Sequence, residues 1–590
     1  MRTSLPHPRF LQVWLAWALG AIGLLLFLTD CSKQAMFIEA AKYAVPAALS
    51  TGPDLSAQDI YTAFDWPAMD GFERNRFASN LINVALIKTK FLAFETLPYL
   101  PSLSLMWLLT HGVGIWFFTR ILRFFFPGNR PARWLGGLFF ILSPAMMSAL
   151  LNHFHPAKPM VLTCGIICLY YTLRQLTRSR AGMPFGIRDY RHWSILLLLF
   201  ALATFSDESG PIIAVLCGAM YPAFFLTKTR GRIILGLWSF CLLAYAYSTL
   251  FAAPQLVAAA GYPPFDFHTA SARYAHFTTE NFFHTYPRYL LWSLYAFIAQ
   301  HALPFYSAIV YHISLLPDFN KHAATLLKSW PFPIAAIPRA VAWAMFLLPL
   351  ALLLDWAALR YRNTTRAERE TYSRLLLAFF ATSAAFVALN QMPFNGNYYY
   401  ANLTAIPITL LLVKLLDPQA IYAGWQRGLR SVATCAIVVC ALFNAYDTNC
   451  VWALTSEALS GKDIRAAWHM TPPERAAFCK GANTGKYWMC DTLAKVDSGK
   501  VIRRNEVALQ SVATGLGLKP RDLRYVFTET ALYHPATFLT TRQNIQFPPP
   551  CRMCVLVTPE GISAIRFREV ALPPKFTLPA TLGNVRLLKN

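Results

Sequence analysis

Charge is scarce in this sequence. Asp, Glu, Lys and Arg make up 14% of its 590 residues, against about 25% in a soluble domain. Apolar residues account for 56%, and the mean hydropathy is positive. That balance points away from an ordinary soluble protein and toward a membrane. Acidic residues are the scarcer sign, 29 against 53 Lys and Arg, which leaves a formal net charge of +24. A surplus of that size would suit nucleic acid, but no stretch carries a basic face interleaved with aromatics. The arginines stand instead in short runs between long apolar stretches, as cytoplasmic loops of membrane proteins do.

Other features are missing too. No small-residue cleavage site follows the first apolar stretch, 10–28, so it reads as an uncleaved first helix rather than a signal peptide. Asp30 ahead of Cys31 argues against a lipoprotein cleavage box. No internal repeat of the kind that builds many transporters is evident. The Cys551-Arg-Met-Cys554 motif has no second pair nearby, which leaves zinc without its usual four ligands.

What is present is a series of apolar stretches near the length a bilayer requires, about 20 residues each. Candidate spans fall near 10–28, 99–122, 132–151, 157–174, 193–206, 209–227, 232–252, 339–358, 373–390, 399–416 and 430–446. The expected fold is an α-helical polytopic membrane protein of about 11–13 transmembrane helices, followed by a mixed α/β soluble domain. The Lys and Arg runs around Arg120–Arg133, Arg174–Arg191, Lys228–Arg232 and Arg360–Arg374 set the orientation, with the N-terminus cytoplasmic. Keeping the last run inside requires 288–317, broken at Ala302-Leu303-Pro304, to form a hairpin or re-entrant pair. The outer face then carries the loops 29–95 and 253–338, the turns near 152–158, 207–208 and 390–402, and the domain 447–590. The membrane domain is 1–446.

The C-terminal domain holds Cys450, Cys479, Cys490, Cys551 and Cys554. Cys479 and Cys490 are spaced for a small disulfide loop in an oxidising compartment, and Cys551 with Cys554 reads as redox-active, metal-binding or a disulfide. The other cysteines lie in or beside apolar spans and read as packing residues. Alternation over 554–558 and 565–570 predicts strands.

Chemistry is expected on the outer face. The first loop contains Phe64-Asp-Trp-Pro-Ala-Met-Asp-Gly-Phe-Glu-Arg-Asn-Arg-Phe77. Asp65, Asp70 and Glu73 are candidate bases for an acceptor hydroxyl or amine. Arg74 and Arg76 could clamp a phosphate bidentately. The competing reading is a solvated loop with local ion pairs and caps. Lys158 is a further phosphate-binding candidate, and His153 and His155 could ligate a metal or simply occupy a turn. Asp207-Glu208 stands between apolar spans, where ionisable residues are costly and functional by default, or else caps the following helix. Tyr398 and Tyr399 form either an interfacial belt or a sugar-stacking platform.

This layout resembles the GT-C superfamily, multi-spanning glycosyltransferases such as the protein O-mannosyltransferases and the aminoarabinose transferases of lipid A. The resemblance rests on a long first outer loop with an acidic motif, here Asp70-Gly-Phe-Glu-Arg74 followed by Arg76-Phe-Ala. It extends to Thr110-His111-Gly112, Ser143-Pro-Ala, Lys158 opening a helix, Phe205-Ser-Asp-Glu-Ser-Gly-Pro and the aromatic turn Tyr398–Tyr400. Asp and Glu are not adjacent here, so either Asp65 or Asp70 is the equivalent residue. The resemblance covers about residues 10–450. It implies transfer from a polyprenyl-phosphate sugar to a glycan, lipid or protein acceptor by direct displacement at the anomeric carbon. Asp70 or Asp65 would activate the acceptor, with Arg74, Arg76 and Lys158 on the lipid phosphate. It implies no obligate cofactor; a divalent metal is not compelled. It also implies a bacterial inner membrane with the C-terminal domain in the periplasm. The alternatives are an O-antigen ligase or polymerase, a lipid or sugar transporter, and a non-catalytic assembly or sensor protein.

Overall fold

The computed structural model describes residues 102–141, 157–252, 365–388, 402–416, 469–479, 507–518, 522–527, 552–558 and 561–588, with a few isolated positions. Asp65, Asp70, Glu73, Arg74, Arg76, His153, His155, Tyr398 and Tyr399 lie outside the described residues, as do Cys490 and Cys551. The described helices from 104 to 245 and from 366 to 416 belong to one compact unit, and the residues from 469 onward to another.

In the first unit, α1 (Ser102–Phe125) turns through Gly128 into α2 (Arg130–Ile141). There follow α3 (Ala157–Arg180), α4 (Ile187–Thr204), α5 (Ile212–Met220), α6 (Pro222–Thr227), α7 (Thr229–Tyr247), α8 (Arg366–Ala388) and α9 (Ala405–Leu415). The segment 209–227, expected as one span, is two helices. Pro222 lacks a backbone N–H and drives the residue before it out of the helical region, and Tyr221 has ψ 56°. Helix α3 runs past the expected end at 174 to Arg180, and α7 continues into a π-helical turn at Ser248–Ala252.

Helix α3 packs on α4 and α5, α5 on α8, and α9 on both α2 and α8. Small residues permit the closest approaches. A Cβ at Gly136 would meet Leu122 and Val413, and one at Gly165 would meet Leu403 and Ile213. Stacked Phe118 and Phe140, and Phe200 and Trp238, fill the interior.

Among the described residues, two helices are long and apolar enough to cross a membrane, Lys158–Arg180 and Thr229–Ala252. Their environments differ sharply. The apolar window of the first is 72% buried inside the protein, that of the second 17%. The second helix exposes Leu235, Phe240, Leu243, Tyr247 and Phe251.

The second unit is mixed α/β. Its described elements are α10 (Pro472–Cys479), a helix over 507–515, and a four-stranded sheet of β1 (Leu523–Phe527), β2 (Met553–Thr558), β3 (Gly561–Phe567) and β4 (Arg586–Leu588). The strands lie in sequence order, with β1 parallel to β2, β2 antiparallel to β3, and β3 parallel to β4. Met553, Val555 and Val557 alternate on one face of β2, with Ile565 and Phe567 of β3 beside them. Leu509, Val512 and Ala513 cover that face. Cys554, at 0% exposure, points to the other face and is disulfide-bonded.

Candidate functional site

Among the described residues of the helical unit, a buried polar cluster forms where three chain segments meet. Lys158 stands in the first turn of α3, Asp207 in the turn between α4 and α5, and Asn402 just ahead of α9. The Lys158 ammonium donates to Asp207 Oδ1 at 2.6 Å, with the two side chains 1% and 0% exposed. The Ser209 backbone N–H donates to the same oxygen at 2.8 Å, and so does the Ser209 hydroxyl. Asn402 Nδ2 donates to the Lys158 carbonyl at 2.8 Å, while its Oδ1 accepts from the Leu403 N–H. One asparagine therefore ties the start of α9 to the start of α3.

The turn that presents Asp207 is itself tightly built. Asp207 N–H and Ser206 N–H both donate to the Ala203 carbonyl, and Gly210 N–H donates back to the Asp207 carbonyl at 2.8 Å. Gly210 packs so closely on the Ala203 backbone that a Cβ there would overlap its carbonyl group. Glu208 is half-buried beside this turn. Lys158 and Asp207, which sequence reasoning proposed separately, thus form one pair. The Lys158 ammonium is directed at Asp207 inside the protein.

A second buried charge cluster lies at the other end of α3. Asp189, in the first turn of α4, is 0% exposed. It accepts from Arg178 Nε and Nη2, each at 2.9 Å, and from Arg230 Nε and Nη2 at 3.2 and 3.4 Å. Its Oδ2 also takes the Gly186 N–H at 3.0 Å. Burial by itself would raise the Asp189 pKa. The hydrogen bonds from Arg178, Arg230 and Gly186 outweigh it and hold the carboxyl well below the ordinary carboxylate range. The other basic helix ends are linked as well. Arg374 lies over the Tyr221 ring at 5.8 Å, the Tyr372 hydroxyl donates to the Lys414 carbonyl at 3.1 Å, and Lys414 lies over Phe126 at 5.5 Å.

The two clusters are separated by the length of α3. From Lys158 to Arg178 is about 20 residues, or about 30 Å at 1.5 Å of rise per residue, close to the thickness of a bilayer's hydrocarbon core. Sequence reasoning used Arg178 and Arg230 only as topology markers and passed over Asp189, Ser209 and Asn402. The signal for Asp189 was present, since it is the only acidic residue between Glu95 and Asp207. Asn402 carried none, because its partner is the Lys158 backbone carbonyl, far away in sequence.

Among the described residues no three His, Cys, Asp or Glu side chains converge as a metal would require. No protein-family model, curated protein or solved structure matches the chain.

Proposed function

We propose that the chain is a multi-pass membrane glycosyltransferase that moves a sugar from a polyprenyl-phosphate donor to an acceptor at the outer face. On this reading the membrane is a bacterial inner membrane, the arginine-rich helix ends are cytoplasmic, and the domain 447–590 is periplasmic. Asp65 or Asp70 activates the acceptor, and Arg74 and Arg76 hold the donor phosphate. Lys158, which the resemblance would put on the donor phosphate, is directed at Asp207 instead. One observation carries the reading: the Lys158–Asp207–Asn402 junction, a desolvated polar cluster about one bilayer thickness from the arginine-rich ends. The outward apolar side chains of the second long helix support its membrane half. The enzyme half rests on the acidic first-loop motif and its resemblance to lipid-phosphate-dependent transferases.

The test is transfer of labelled sugar from a panel of polyprenyl-phosphate donors in membranes. Wild type is compared with Asp65→Asn and Asp70→Asn at matched expression. Donor-dependent transfer that disappears in one of the two variants is the expected result and identifies the base. Transfer unchanged in both variants removes the first loop from catalysis, and no transfer from any donor sinks the enzyme reading. A transporter for lipid or sugar is the second reading, because a buried ion pair among helix ends also suits a transport path. Counterflow of labelled lipid-linked sugar in sealed vesicles without bond cleavage would favour it.

A further inference from the structure

The connection between α3 and α4 combines three properties that the proposed chemistry does not use. First, it is clamped from beneath. Arg230 Nη2 donates to the Met183 carbonyl at 2.8 Å and to the Pro184 carbonyl at 3.0 Å, while its guanidinium covers the Phe185 ring at 4.5 Å. Asp189 fixes Gly186 and both arginines, as described. Second, the clamped loop and the first turn of α4 present large apolar side chains outward. Met183, Phe185 and Tyr190 are exposed, and Ile187 is 82% exposed. Third, Arg180, Arg188, Arg191, Lys228 and Arg232 surround it, all exposed, and the one acidic residue among them, Asp189, is buried in its own ion pairs.

Water alone gives no reason to hold apolar side chains open on a rigid loop. A basic patch by itself would attract any polyanion, and an apolar patch by itself any greasy partner. The combination of both on one fixed loop matches the boundary between headgroups and acyl chains. There, apolar side chains sink a few ångströms and arginines meet lipid phosphates. We propose that the 181–186 loop and the first turn of α4, with the basic start of α7, form a docking surface for anionic phospholipid headgroups, Phe185 and Ile187 entering the acyl boundary and Arg188, Arg191 and Arg232 pairing with phosphates. This rests on the membrane half of the reading above and is independent of sugar transfer.

The full-length protein, purified in a neutral detergent, is titrated with phosphatidylglycerol or phosphatidylcholine carrying the same acyl chains, and bound lipid is counted by native mass spectrometry. Wild type should retain phosphatidylglycerol preferentially. R188Q/R191Q should weaken that retention roughly 30-fold, at about fivefold per charge, and leave phosphatidylcholine unchanged. F185S/I187S should weaken both lipids. R188Q/R191Q leaves the Asp189 clamp untouched, F185S removes only the ring that Arg230 covers, and the unfolding temperature of each variant verifies that it is folded. Equal retention of the two lipids by wild type would overturn the proposal. So would an equal loss in R366Q/R369Q, which would show diffuse attraction to any basic end. Competition by glycerol phosphate as effective as that by the intact lipid would reassign the site to free phosphate. The transfer assay is read separately, so its failure and the failure of lipid retention are distinguishable.

Discussion

Lys158 and Asp207 pay a desolvation penalty that their mutual attraction and the Ser209 donors help to offset. Removing one partner leaves a buried charge without its counter-ion. Lys158→Met is therefore expected to destabilise the helical unit by about 3–5 kcal/mol, measured as a shift in thermal unfolding in detergent. Lys158→Met combined with Asp207→Leu removes both charges together and should recover most of that loss. If the pair also shapes the donor site, sugar transfer stays lost in the double variant while stability returns; transfer that recovers with stability would make the pair purely structural. Asp189 allows a second test at the same scale. Its native pKa is lowered, so the unfolded chain binds more protons in the acid range and stability rises with pH there. The stability that Asp189 contributes is present in full above the ordinary carboxylate pKa of about 4, and it is lost as pH falls from there toward the lowered native value. Asp189→Asn should cost on the order of 3 kcal/mol near neutral pH and flatten that acid limb. An acid unfolding profile unchanged by the substitution would count against the clamp.

At the scale of elements, the helices were legible because apolar composition and arginine punctuation mark them directly. The spans expected at 99–122, 193–206, 232–252 and 373–390 fall on α1, α4, α7 and α8. The break at Tyr221–Pro222 was equally available from the proline and was overlooked within one continuous apolar run. Period-two alternation marked β2 at 554–558, but the strand expected at 565–570 overlaps β3 only over 565–567, because β3 starts at Gly561 and ends at Phe567. What could not be read was convergence. Lys158 and Asn402 are joined through a backbone carbonyl, and no pattern in one sequence reports such a bond. The α4–α5 turn is where element geometry and site meet. Gly210 lies against the Ala203 carbonyl, which also accepts the N–H groups of Ser206 and Asp207. Gly210→Ala should push these groups apart, costing roughly 1–3 kcal/mol as an overpacked contact. It should also shift Asp207 away from Lys158. Lower thermal stability together with reduced transfer is expected; full stability and full transfer would show that the turn relaxes without consequence.

The whole molecule poses a question of sidedness, because the reading assigns opposite sides of one membrane to two exposed regions. Arg366, whose side chain is 97% exposed, opens α8 in the arginine-rich set of helix ends. Val507, 83% exposed, belongs to the mixed α/β unit. On that reading the excess of Arg over acidic residues around 360–374 would put the first in the cytoplasm by the positive-inside rule. The disulfide at Cys554 suits an oxidising compartment for the second. Arg366→Cys and Val507→Cys can be probed with a maleimide that does not cross membranes. The background is favourable, since Cys164, Cys168, Cys217 and Cys241 are buried and Cys554 is already bonded; the wild-type chain supplies the remaining correction. Val507→Cys should label in intact spheroplasts, and Arg366→Cys only after the membrane is opened. Labelling of both before opening, or of neither, would place the two regions on one side. In that case the outer-face assignment of the transfer site would fail along with the topology on which it depends.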